Sequence, residues 1–172
     1  MAVNHHGEPN IQLSEVALTD QVLEELIRMS EEWEAENSCH GYRKNEKEDI
    51  VGNRIFLAHS GKTAAGYLFG HVEKAEKTTS IMPEGTSFFE VEELYVRPGF
   101  RNRGIGKQLF RFAENAVSKE AGYLMLSTAT KNWKAILHFY LEELDMDFWS
   151  ARLFRKISPA ERTDQRPTED VT

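Results

Sequence analysis

The sequence predicts an α/β domain, and three observations carry that prediction. Residues 88–96 are aromatic and β-branched with interspersed glutamates, which reads as a strand. Pro98 and Gly99 end it, and from Lys107 the apolar residues Leu109, Phe110, Phe112, Ala113, Ala116 and Val117 fall at helical spacing. Before this strand–turn–helix unit, residues 54–59 and 63–72 read as two strands of a hairpin around Ser60-Gly61-Lys62. After it, a strand over 123–129 and a helix over 132–144 repeat the alternation. The 172 residues suit one domain with a sizeable core.

In chain order, residues 1–10 read as a flexible polar lead, with His5 and His6 solvated. A first strand is expected over 11–17. Thr19 or Asp20 can cap a helix over 21–37 whose Val22, Leu23, Leu26, Ile27 and Trp33 face the core. Residues 38–54 are polar and interrupted by Gly41 and Gly52. In the hairpin, His59 and His71 are candidate bases, or else strand-end residues meeting solvent. Residues 73–87, with Pro83 and Gly85, read as an exposed loop. Past the central helix and Gly122, residues 123–129 read as a buried strand. Asn132 or Thr130 starts the late helix, and residues 147–157 read as a final strand. Residues 158–172, with Pro159, Pro167 and alternating charges, read as a polar tail, leaving 11–157 as the single domain.

Composition narrows the function. Hydrophobic residues make up 40% and charged residues 28%, as in a globular protein. The formal net charge of −7 argues against nucleic-acid binding and is compatible with a cationic substrate. The lone Cys39 excludes an intramolecular disulfide and a cysteine-rich metal site, and reads as an inert thiol. No apolar run approaches a membrane span, and the first residues lack a signal-peptide core, so a soluble cytoplasmic protein without a metal is expected.

The chemistry sits between the central strand and its helix. Gly104 and Gly106 leave backbone N–H groups open to an anion. The following helix adds the positive end of its dipole, and Arg101, Arg103 and Lys107 add full charges: a cradle for a diphosphate. Gly99 and Gly104 have the P-loop spacing, but Ile105 and Gly106 follow where Lys and Ser/Thr are required. A dinucleotide fingerprint needs a third glycine where Leu109 stands. The remaining pattern, Arg101-x-x-Gly104-x-Gly106 after Glu92-Glu93-Leu94-Tyr95-Val96-Arg97-Pro98, resembles the coenzyme A pyrophosphate loop of the GCN5-related N-acetyltransferases (GNAT). A second anchor is Asn132-x-x-Ala135 followed by Phe139-Tyr140. An ordinary basic turn is the bland alternative.

The resemblance covers about residues 10–157. It implies a three-layer α/β/α fold around a mixed, mostly antiparallel sheet that splays at the cofactor site. Acetyl-CoA is then the acyl donor, and the activity is direct transfer to a primary amine of a small molecule or peptide in a ternary complex. By resemblance, freed backbone groups of Leu94, Tyr95 and Val96 hold the pantetheine arm. Arg101, Asn102, Arg103, Gly104, Ile105, Gly106 and Lys107 take the pyrophosphate, and Asn132, with Ala135, meets the pantetheine. Glu90 and Glu92 alternate with Glu93 and are expected on opposite sheet faces. Glu92 is the first candidate for the base and Glu93 the second; the alternative is that these carboxylates attract a cationic substrate or pair with Arg and Lys. Tyr140 is the candidate acid. It stands eight positions after Asn132, one more than the family often has. One residue turns a helix by roughly 100°, so Phe139 could take that place, and packing alone is a further reading of both rings. One strand follows the late helix where the family usually has two. The other is absent, supplied by a neighbouring subunit of a homodimer, or split from 147–157. An acetyl-CoA sensor or non-catalytic subunit of the same fold, and a different phosphate ligand, are the competing functions.

Overall fold

The computed structural model of the chain describes residues 10–156. The expected lead over 1–9, the end of the last strand at Ile157 and the tail over 158–172 lie outside them. Five strands, β1 (Ile11–Val16), β2 (Arg54–Ser60), β3 (Thr63–Lys74), β4 (Ser87–Val96) and β5 (Tyr123–Leu126), form one sheet in that spatial order. β1 to β4 pair antiparallel, and β5 joins β4 parallel. Sequential antiparallel neighbours need only short turns, which is why the β2–β3 hairpin was visible in the sequence. The parallel pair needs a crossover, here α3 (Ile105–Val117).

Two helical layers cover the sheet. On one face α1 (Asp20–Glu36) and the short α2 (Lys47–Ile50) set Leu26, Met29 and Ile50 against Ile55, Leu57, Tyr67, Phe69 and Tyr95. On the other, α3 sets Ile105, Leu109, Phe110, Ala113 and Val117 against Phe56, Leu68, Phe89 and Val91. Burial on both faces explains why β2 and β3 are almost continuously apolar. Thr19 caps α1, its hydroxyl accepting from the Val22 N–H at 3.2 Å.

Several expectations are corrected. Residues 38–54 contain α2, opened by a reciprocal capping box between Glu46 and Asp49. β5 stops at Leu126 and none of its residues is fully buried. Beyond it the chain pairs instead with the segment after α1: the His40 N–H donates to Ala129 O at 2.9 Å and the Lys131 N–H to Ser38 O at 2.8 Å. The late helix is α4 (Trp133–Leu137) and then a π-helical stretch over His138–Glu143. Residues 147–156 form no strand, and Leu153 and Phe154 are exposed. Among the described residues no helix is long and apolar enough to cross a membrane.

Candidate active site

A β-bulge in β4 builds the centre of the site. Phe69 pairs with Glu93 and Gly70 with Val91, so Glu92 is an extra residue on β4. The bulge reverses the inside–outside alternation: Phe89 and Val91 face α3 before it, Leu94 and Val96 after it. Glu92 and Glu93 therefore line one cavity, and the expected separation onto opposite faces is corrected. Gly70 permits this geometry, because a Cβ there would lie 2.1 Å from Glu90 O.

The cavity, of about 670 Å³, opens between α2, β3 and β4 and is also lined by Asn45, Glu48, His71 and Phe69. At its inner wall Glu93 Oε2 accepts three hydrogen bonds, from the hydroxyls of Tyr67 at 2.6 Å and Tyr42 at 3.3 Å and from Asn45 Nδ2 at 2.8 Å. Glu93 Oε1 receives none among the described residues. Asn45 is held in turn by its N–H, which donates to the buried Ser30 Oγ at 2.9 Å. Burial raises the Glu93 carboxyl above the ordinary carboxylate range, against the lowering effect of its donors. Burial and the adjacent Glu93 raise the Tyr67 and Tyr42 phenols, so both remain donors.

Glu92 is different. Its side chain is 46% exposed and its Oε1 lies 3.6 Å from His71 Nδ1. His71 does not simply end a strand in solvent. Its Nδ1 is 3.1 Å from Asn53 Oδ1 and its Nε2 is 2.7 Å from Glu73 Oε1. Asn53 Nδ2 donates to the carbonyls of Asp49 and Ile50, which fixes the amide so that His71 Nδ1 is the donor to Oδ1. Glu90 is half-buried, and burial followed by the nearby Glu92 and Glu73 raises its carboxyl.

Alongside this cavity the sheet is open. β5 pairs with β4 only over Phe88–Val91, leaving residues 92–96 without a neighbour strand on that side among the described residues. The Arg97 N–H donates to Ala65 O at 2.9 Å, so by antiparallel alternation Leu94 and Val96 point their backbone groups to the open side, and Tyr95 points its own to β3. The expectation for the Tyr95 backbone is thereby corrected; its side chain instead stacks on Trp33 and donates to Glu36 Oε1 at 2.8 Å. Val96 O is engaged by Arg101 Nε at 2.7 Å, while Arg101 Nη2 meets Glu36 at 2.7 Å.

The glycine loop beyond the open edge is left-handed at Asn102 and Gly104, with φ of 60° and 71°. No side chain caps the first turn of α3, so its N–H groups are available. Arg103 lies over the Phe100 ring and Lys107 is exposed. Ile105 is buried in the core. Gly106 turns inward: a Cβ there would come within 3.3 Å of Phe139, so its smallness serves packing rather than an open outer surface. Asn132 and Ala135 are exposed at the start of α4.

Tyr140 lies within the π-helical stretch. With i→i+5 bonding, Leu144 N–H to Phe139 O at 3.1 Å, Phe139 and Tyr140 both pack on the α3 cluster. The Tyr140 hydroxyl has no hydrogen-bond partner among the described residues. Burial, then the nearby Cys39, pushes its phenol up to about 12.

A family model described as "Acetyltransferase (GNAT) domain" matches residues 51–143, a span that contains the bulge, the glycine loop and α4. The chain belongs to the GNAT acetyltransferase family. An uncharacterized N-acetyltransferase in the pepI 3' region of Lactobacillus delbrueckii subsp. lactis is 34% identical over 116 residues, 58% of this chain and 64% of that relative, so the GNAT chain spans less than two thirds of its length. The fold is also that of an aminoglycoside acetyltransferase from an uncultured soil metagenomic sample, solved with sisomicin (TM-score 0.62, 16% identity, 86% of this chain and 97% of that one). AAC(6')-Iy, solved with a bisubstrate analogue of CoA and acetylneamine, gives a TM-score of 0.61 at 15% identity over 87% and 99% of the chains. A putative acetyltransferase from Pyrococcus furiosus gives 0.61 at 15% identity over 86% and 100%.

Sequence reasoning missed Asn45 and Tyr67 and set His71 aside. Asn45 is a polar residue in a polar stretch and Tyr67 an aromatic in a strand, so neither pattern differs from a loop or a core.

Proposed function

We propose that this GNAT domain transfers acetyl from acetyl-CoA to a primary amine directly, within a ternary complex. The observation that carries the reading is the adjacency of an open β4 edge, an uncapped α3 terminus at one end of it, and a cavity with carboxylates at the other. The residues fit the donor. Backbone groups of Leu94 and Val96 would hold the pantetheine, once Arg101 leaves Val96 O. The first turn of α3, with Arg103 and Lys107, would hold the diphosphate. Asn102, Gly104, Asn132 and Ala135 stay with this assignment. That one structural neighbour is named as an aminoglycoside acetyltransferase and another was solved with a CoA bisubstrate analogue supports both halves of the reading.

Acetyl-CoA supplies a thioester carbonyl and a thiol leaving group. The amine must lose a proton before or as its nitrogen attacks. Glu93 Oε1 is the better acceptor for that proton: the side chain is mostly buried and raised toward working pH, Oε2 is locked by three donors, and Oε1 is free. Glu92, solvated and beside His71, is the alternative base or an attractor of the incoming ammonium. Tyr140, raised to about 12, is a weaker acid than a thiol of about 8.5. It serves best as a hydrogen-bond donor to the sulfur as charge develops on it; the thiolate leaves as the C–S bond breaks and takes its proton from solvent, to which Glu93 returns the proton taken from the amine.

The test has two arms. In Gly104→Glu a carboxylate stands at the α3 terminus, and acetyl-CoA affinity measured by calorimetry should fall at least about tenfold in a variant that still melts cooperatively. CoA release from the wild type should require an added amine. Unchanged affinity removes the loop from the reading; a domain that binds acetyl-CoA yet never releases CoA with any amine is the non-catalytic alternative.

A further inference from the structure

The wall of the cavity carries information about what enters it. Its carboxylates are Glu48, Asp49, Glu92 and Glu93, and no lysine or arginine among the described residues lines it. Two of the polar groups around it already have partners. Asp49 accepts from both Arg43 nitrogens at 2.8 and 2.9 Å, and His71 lies 2.7 Å from Glu73, which is outside the lining. Glu93 keeps Oε1 without a donor. Glu92 has only His71 at 3.6 Å. Glu48, on α2, makes no hydrogen bond or ion pair among the described residues. Between these groups Phe69, Val51 and Val72 supply an apolar stretch of wall.

Resting on the transfer reading above, we propose that the acceptor is a diamine or longer polyamine without a carboxylate, its reacting nitrogen at Glu93 and Glu92 and a second ammonium at Glu48. A monoamine would leave one wall's carboxylate uncompensated. An amino acid would bring its own carboxylate against the same wall, and like charges in a cleft reject a ligand as effectively as opposite charges select one. The volume of about 670 Å³ is also that of a small-molecule site, larger than one amino group and its carbon need.

Putrescine, butylamine and γ-aminobutyrate share a four-carbon chain with one amine and differ at the far end: ammonium, methyl or carboxylate. CoA release by the full chain should give kcat/KM in that order, with putrescine ahead of butylamine by roughly tenfold at low salt, and the gap should shrink as salt rises. Glu48→Gln should raise KM for putrescine several-fold with kcat kept, and leave butylamine unchanged. Calorimetry of the same amines should rank their affinities likewise. Equal kcat/KM for the three, or a putrescine advantage untouched by Glu48→Gln, overturns the inference while leaving amine acetylation in place. No CoA release from any amine overturns the transfer reading instead, and the calorimetric ranking then decides the cavity's preference alone: putrescine first supports it, equal affinities overturn it.

Discussion

Glu93 and Glu92 are adjacent glutamates with different physical fates. One is partly buried and fed three hydrogen bonds on a single oxygen; the other is half in solvent. If Glu93 is the base, Glu93→Gln should lower kcat by about 10²–10⁴-fold, and Glu92→Gln should act mainly on KM. The wild-type rate should fall as pH drops through a value above the ordinary carboxylate range, and Glu93→Gln should lose that limb. Stability moves the other way. A carboxyl raised by folding binds its proton more tightly in the folded state, so its stabilising contribution is present below the unfolded value and is lost as pH rises through the folded one. Glu93→Gln should therefore melt higher than wild type at neutral pH, with the difference closing in acid; thermal melts across pH check this. Tyr140→Phe removes a hydroxyl with no partner among the described residues, so stability should change by less than about 0.5 kcal/mol. Turnover should fall with acetyl-CoA affinity kept, and wild-type kcat would return Tyr140 to packing. The candidates Glu92 and Glu93 could be picked out because three carboxylates on one central strand are hard to explain by packing alone, and Tyr140 because Asn132-x-x-Ala135 followed by Phe139-Tyr140 resembles the family's pattern. The donors to Glu93 were not, since Tyr67 and Asn45 stand 26 and 48 positions away and meet it only after folding.

At the scale of elements, two single-residue insertions reset directions that sequence spacing alone misjudges. The β4 bulge at Glu92 brings both glutamates into one cavity, and the π-helical stretch over His138–Glu143 turns Tyr140 inward. Period-2 and period-3.6 reasoning assumes unbroken ladders, so an added residue inverts or rotates everything after it. The trace the bulge leaves in the sequence is Gly70. Gly70→Ala would set a Cβ against Glu90 O and force the strands apart. We expect a loss on the order of 3 kcal/mol, read as a lower denaturation midpoint, together with loss of turnover. Gly70→Ala at wild-type stability would mean that the bulge is not the rigid feature described. The elements themselves were legible: the hairpin, the central strand, its helix and Thr19-capped α1 follow from apolar spacing and turn residues. The late strand was not. Residues 147–156 are rich enough in aromatic and apolar residues to read as a strand, yet Leu153 and Phe154 stay exposed with no ladder beside them among the described residues.

Across the whole molecule, an acidic chain of net charge −7 places three of its 21 lysines and arginines, Arg101, Arg103 and Lys107, in the loop before α3 and in its first turn. On the proposed reading, two ligands of opposite charge go to the two ends of one open strand edge. The anion is expected at the α3 terminus and the amine in the carboxylate-lined cavity. The composition made the first half readable, because a basic glycine loop stands out in an acidic chain. The cavity depends on α2 closing over β3 and β4, which no local pattern announces. This arrangement requires both ligands together, since nothing in the proposed chemistry stores the acetyl group between them. The most direct measurement is the initial rate of CoA release with acetyl-CoA and an amine varied against each other. The account predicts double-reciprocal lines that intersect, as a ternary complex demands. Parallel lines, the signature of an acetyl group parked on the protein before the amine arrives, would contradict it.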